Sequence, residues 1–162
     1  MIFPPVPTPT VSRRRLVSPD PDTTRSIGAA LAAAARPGDL VCLRGELGAG
    51  KTQLAKGFAA GLGVTATVNS PSFILMAEYA GRLPLYHIDL YRLADAVDAL
   101  AAGLFDERQI DGVTLVEWPE RLGSALPAVR LDVVIGGTGD EPRTLDVEAH
   151  SAAYGRYLEA LP

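Results

Sequence analysis

The run Leu40-Val41-Cys42-Leu43-Arg44 passes straight into Gly45-Glu46-Leu47-Gly48-Ala49-Gly50-Lys51-Thr52, and this junction constrains the chain more than any other stretch. An apolar strand that ends in G-x-x-x-x-G-K-[ST] predicts a phosphate-binding loop opening onto a helix. Glycines let the backbone curl so that successive N–H groups point inward, and the following helix brings its positive end to the same place. Lys51 is then the point charge for the β- and γ-phosphates, and Thr52 supplies a hydroxyl to a nucleotide-bound Mg²⁺. Leu54, Phe58 and Leu62 recur at helical spacing after the loop, with Gly63 where a helix-ending glycine belongs. The chain holds two lysines against thirteen arginines, and one of the two stands where a compact ammonium is needed.

A length of 162 residues with 48% hydrophobic composition provides for one domain with a sizeable core. We expect that domain over residues 19–162, preceded by a flexible leader over 1–18 that carries a proline cluster and Arg13-Arg14-Arg15, a solvated charge run. A net charge of -4 argues against a protein that grips nucleic acid through a broad basic face. No apolar run approaches the roughly 20 residues that cross a bilayer. The arginines follow the first hydrophobic residues, the reverse of a secretory signal, so a cytoplasmic location is expected. Cys42 is the single cysteine, which rules out a disulfide within the chain and suits a small core residue.

Taken in order, Leu16-Val17 suggests a short edge strand, and Thr23 to Ala35 an alanine-rich helix entered through Ser18-Pro19-Asp20-Pro21-Asp22. After the loop and its helix, Phe73 to Tyr79 and Leu83 to Ile88 pair as a hairpin across Ala80-Gly81-Arg82. Alternation along the second strand sends His87 and Asp89 out on the same face. Asp95 to Ala102 reads as a short helix, and Val113 to Glu117 as a buried strand ending in a carboxylate. Val129 to Ile135 and Arg143 to Glu148 form an antiparallel pair, and Ala152 to Leu161 a closing helix. The expected fold class is α/β: a three-layer sandwich of the P-loop NTPase type, its mixed sheet having a parallel core and antiparallel additions.

Phosphoryl transfer requires a further metal ligand and a group that positions the attacking oxygen. Asp89 and Glu117 are the candidates, since each ends an apolar strand beside the loop; a surface or capping role is the alternative for each. His87 reads as a core or hydrogen-bonded histidine, Arg92 as a surface arginine, and Trp118 as core more readily than as part of a nucleotide site. Arg143 suits stacking on a base, pairing with a phosphate, or cross-linking a strand edge.

With the loop, Ser70-Pro71-Ser72-Phe73, His87-Ile88-Asp89-Leu90-Tyr91-Arg92-Leu93 and Val116-Glu117-Trp118-Pro119-Glu120 in this order, the chain resembles the TsaE family. These are ATPases of bacterial tRNA threonylcarbamoyladenosine modification, and the resemblance runs from about Pro19 to the closing helix. It implies that Gly45 to Thr52 binds ATP, that Thr52 and Glu117 lie on Mg²⁺, and that Ser70, Ser72 and Asp89 belong to nucleotide-sensitive switches. The family has threonine where Ser72 stands, which keeps the hydroxyl, and an acidic pair where this chain has Asp98-Ala99. The implied partners are the TsaD and TsaB proteins, which modify adenosine 37 of tRNA, so that this chain meets tRNA only indirectly.

Two other classes share the loop. A compact small-molecule kinase needs an arginine-bearing lid, and the segments from Leu93 to Asp111 and from Trp118 to Arg130 hold few arginines. A nucleotide-binding scaffold without turnover has no use for Asp89 and Glu117.

Overall fold

The computed structural model describes residues 11–162. Its seven strands are β1 (Ser12–Ser18), β2 (Leu40–Arg44), β3 (Met76–Tyr79), β4 (Leu85–Asp89), β5 (Val113–Glu117), β6 (Leu131–Gly136) and β7 (Arg143–Ala149). The helices are α1 (Pro21–Ala33), α2 (Lys51–Gly61), α3 (Ala96–Ala101) and α4 (Gly155–Glu159). One sheet holds all seven strands in the order β1-β7-β6-β2-β5-β4-β3. Pairs β6/β2, β2/β5 and β5/β4 are parallel, while β1/β7, β7/β6 and β4/β3 are antiparallel, so the expected parallel core with antiparallel additions is what forms.

Alternation along β2 builds the two outer layers, because successive side chains leave opposite faces. Val41 and Leu43 join the larger core with Ile27 and Leu31 of α1, Leu54 and Phe58 of α2, and Tyr157 of α4. Cys42 faces the other way, with Ile88, Val116, Ala99 of α3, Leu104 of the loop after α3 and Leu122 of the 3₁₀ segment Pro119–Ala125. Its thiol is fully buried and burial raises its pKa to about 12, so it behaves as the inert core residue expected. Helices α1 and α2 cross with backbones nearly touching: a Cβ on Gly57 would lie 1.9 Å from the carbonyl oxygen of Arg25.

Two expectations are corrected. The leader drawn over 1–18 contains strand β1, which runs beside β7 from Ser12 opposite Ala149 to Ser18 opposite Arg143; residues 1–10 lie outside the described residues. The arginine triplet is part of that strand rather than a free charge run. Arg13 and Arg15 cross to Glu148 and Asp146 at 3.7 and 2.6 Å, while Arg14, on the other face, donates to the carbonyls of Leu158 and Pro162 at 3.0 and 2.7 Å. Charge on an edge strand also discourages pairing with another chain. Secondly, β3 starts at Met76, not Phe73: Phe73 and Ile74 sit in an exposed turn closed by the Leu75 N–H donating to the Pro71 carbonyl at 2.6 Å.

The closing segment is a 3₁₀ turn (Ala152–Tyr154) running into α4, and it is tied down through Asp39. Asp39 Oδ2 accepts from the Tyr157 hydroxyl at 2.5 Å and the Arg36 N–H at 2.9 Å, and pairs with the Arg156 guanidinium. Tyr157→Phe should cost about 2 kcal/mol, because a buried carboxylate loses one of its donors. Urea denaturation checks this, and an unchanged midpoint would mean that the hydroxyl is redundant.

Candidate nucleotide site

Four parallel strands end at one edge of the sheet, where the loop after β2 lies between the ends of β5 and β6. Ligands of open α/β sheets bind at this carboxyl edge. Within the loop Gly45, Gly48 and Gly50 all have positive φ, and Gly50 at +110° is the N-cap of α2. Glycine is required at Gly50 because a β-carbon in this left-handed region would strain the turn that starts the helix. The first turn of α2 has no acidic residue and no side-chain cap, which leaves its N–H groups and partial positive charge to an anion.

Lys51 is buried and lies along the cavity wall, its Nζ donating to the Gly45 carbonyl at 2.5 Å and standing 3.8 Å from the centre of the Trp118 ring. Burial pushes its pKa below the ordinary lysine value, against the opposing pull of Glu117, Glu120, Asp89 and Glu46. The helix end and an incompletely solvated ammonium therefore face one space of about 630 Å³, shared with Thr52, Asp89, Glu117 and Arg143.

The register of β4 on β5 sets Asp89 directly beside Glu117. Both are almost completely buried, an expensive position for two like charges unless donors reach them. Those donors come from the segment before β3: Ser70 Oγ lies 2.8 Å from Asp89 Oδ2 and 3.1 Å from Glu117 Oε2, and Ser72 Oγ lies 2.9 Å from Asp89 Oδ2. The Tyr91 N–H donates to Asp89 Oδ1 at 2.9 Å, and His87 Nε2 lies 2.8 Å from Glu117 Oε2. The pull of the two serines toward Asp89 also explains why Phe73 leaves the strand.

Lys51, Thr52, Ser70, Ser72, Asp89 and Glu117 thus share one cavity with Leu47, Gly48, Ala49 and Gly50. Gly45 and Glu46 belong to the loop without lining that space, although the Gly45 carbonyl holds Lys51. Arg143 borders the cavity, yet its guanidinium donates to the carbonyls of Ala49, Gly48 and Gly139 at 3.0, 3.2 and 2.9 Å. That is a brace joining the β6–β7 turn to the loop. Arg92 lies outside, its guanidinium 4.1 Å over the exposed Phe73 ring.

Trp118 packs against the smaller core, as expected, and borders the cavity as well. Its backbone has φ +58°, which turns its ring toward Lys51 and Tyr91 while the ring still touches the smaller core. His87 is the buried, hydrogen-bonded histidine expected, and its partner is Glu117. The signal for His87 was available in the β4 alternation, which placed it on the face of Asp89; nothing in local sequence announces a left-handed tryptophan.

The donor set fits a nucleotide with Mg²⁺: anion-binding backbone and an ammonium on one side, a hydroxyl and two carboxylates on the other. A second group of possible ligands, Asp132, Glu148 and His150, has its ligand atoms within 4.8 Å of one another. It fits a dication poorly, because Arg130 already holds both oxygens of Asp132 at 2.9 and 3.1 Å and Arg44 approaches within 3.5 Å. Among the described residues no helix is long and apolar enough to cross a membrane.

Residues 18–145 match the model of the family described as threonylcarbamoyl adenosine biosynthesis protein TsaE. The tRNA threonylcarbamoyladenosine biosynthesis protein TsaE of Bacillus subtilis is 45% identical over 143 residues, covering 88% of this chain and 89% of its own length. The protein of the same name from Treponema pallidum is 38% identical over 133 residues, with 82% and 98% covered. Among solved structures, Bacillus subtilis YdiB superposes with a TM-score of 0.76 at 39% identity, covering 93% of this chain and 94% of that one.

Proposed function

Because the chain belongs to the TsaE family, we propose that it serves tRNA threonylcarbamoyladenosine biosynthesis as a cytoplasmic ATPase that works with the TsaD and TsaB proteins. The observation that carries this reading is the meeting of Lys51, Asp89 and Glu117 in one cavity at the mouth of the phosphate loop. The family match leaves the small-molecule kinase without support. A scaffold without turnover would gain nothing from burying two carboxylates side by side.

In this reading the loop N–H groups and Lys51 bind the β- and γ-phosphates of ATP, and Lys51 exchanges the Gly45 carbonyl for phosphate oxygens. The Thr52 hydroxyl and Glu117 would hold Mg²⁺, which when bound neutralises charge on the phosphates. Asp89 orients a water for in-line attack on the γ-phosphorus. The water oxygen bonds to phosphorus, the bond to the β–γ bridging oxygen breaks, and the water proton leaves with inorganic phosphate or through Asp89. For Asp89 to meet that water, the Ser70 and Ser72 hydroxyls that now occupy its Oδ2 must turn away, which gives these serines the character of a switch. Arg143 acts by holding the loop rather than by touching the nucleotide.

Hydrolysis by the chain alone should be slow, since no arginine among the described residues reaches into the cavity to meet charge on the transferring phosphoryl group; Arg143, at its border, is committed to backbone carbonyls. Supplying such a group in trans is worth roughly 10³-fold or more in related phosphoryl transfers. Phosphate release measured with and without the TsaD and TsaB proteins tests this. A large stimulation is expected, and a fast unstimulated rate would contradict it.

A further inference from the structure

We propose that His87 is a positioning residue that fixes the magnesium-binding carboxylate, a role that rests on the reading of Glu117 above. His87 is fully buried on β4, two residues before Asp89, and its side chain reaches across to β5, where Nε2 lies 2.8 Å from Glu117 Oε2. Its other ring nitrogen, Nδ1, is buried and has no partner. The contact requires one donor and one acceptor, and in this proposal the ring donates from Nε2 to the carboxylate oxygen. With Nδ1 unpartnered, the bond to Glu117 is the one hydrogen bond this buried ring makes.

Both neighbours of Glu117 meet the same oxygen. Ser70 Oγ and His87 Nε2 converge on Oε2, so Oε1 is the oxygen kept for the metal or its water. The two donors are unlike in kind. Ser70 lies in a loop and also serves Asp89, so its bond can be exchanged; His87 stands in the middle of a sheet strand whose neighbours on both sides hold it in register. When Ser70 leaves, His87 alone keeps the Glu117 side chain from rotating in its pocket. Ligands supported in this way lose roughly 10- to 100-fold in metal affinity when the support is removed.

The test compares His87→Leu with His87→Gln, whose side-chain amide can place a donor near the position of Nε2. Magnesium is titrated against a fluorescent ATP analogue, and thermal unfolding without ligand is recorded in parallel. Leucine should raise the Mg²⁺ midpoint about 10-fold while leaving metal-free nucleotide affinity unchanged, and glutamine should return the midpoint to within about 3-fold of the parent. A role in packing alone would lower the melting temperature of both variants and move neither midpoint. Nitrogen NMR of the parent reads the ring protons directly even if neither variant folds: a proton on Nε2 is expected, and an Nε2 without one overturns the proposal. Glu117→Gln separates the two levels. If it moves the midpoint and His87→Leu does not, this proposal alone fails; if it does not move the midpoint, the metal role of Glu117 falls and this proposal with it.

Discussion

Replacing Lys51 by Met should weaken ATP binding on the order of 100-fold and leave the ligand-free protein as stable as the parent or more so. The first effect follows from removing a charge-assisted partner of the phosphates. The second follows from the state of the lysine without nucleotide. Its ammonium is buried, holds one backbone carbonyl, faces the Trp118 ring, and is pushed toward the neutral form by desolvation. Methionine keeps the stem and discards the charge. Loss of binding together with retained stability would mark the position as one where stability yields to function. Calorimetric titration and thermal unfolding on the same sample read both, and unchanged affinity would move the nucleotide to another site.

The two carboxylates should separate under neutral replacement. Asp89→Asn is expected to keep Mg·ATP affinity within about 3-fold while lowering partner-stimulated hydrolysis on the order of 100-fold, the scale of a group that orients or accepts a proton from the attacking water. The asparagine can still be held, because serine hydroxyls both donate and accept and can re-pair with either end of the amide. Glu117→Gln should instead displace the magnesium dependence of binding. If the effects are exchanged, the roles are the wrong way round; if both variants bind and turn over like the parent, neither carboxylate belongs to the chemistry.

The strands that carry the site were legible because each is a short, continuous apolar run ended by a functional residue. Leu40–Arg44 and Val113–Glu117 form over the expected residues, being buried on both faces of the sheet where polarity has no place to alternate. Alternation along β4 likewise put His87 and Asp89 on one face. Strand β1 was not legible in full: three successive arginines carry no apolar pattern, and what makes them a strand is a ladder to β7 at the far end of the sequence. Phe73 and Ile74 misled for the opposite reason, being apolar residues exposed because Ser70 and Ser72 bond to Asp89 and draw the chain into a turn. The contact of His87 with Glu117 depends on strands 30 residues apart lying in register, and only the assembled sheet shows it.

Nucleotide is expected to bind at the loop after β2, with Asp89 and Glu117 facing it. Backbone amide NMR of the labelled protein, recorded during a titration with Mg²⁺ and a non-hydrolysable ATP analogue, tests this most directly. The largest shifts are predicted at Gly48 to Thr52, with a second set at Ser70, Ser72, Asp89 and Trp118. Saturating nucleotide that leaves the loop amides in place, or moves chiefly those around Asp132 and His150, would contradict the account.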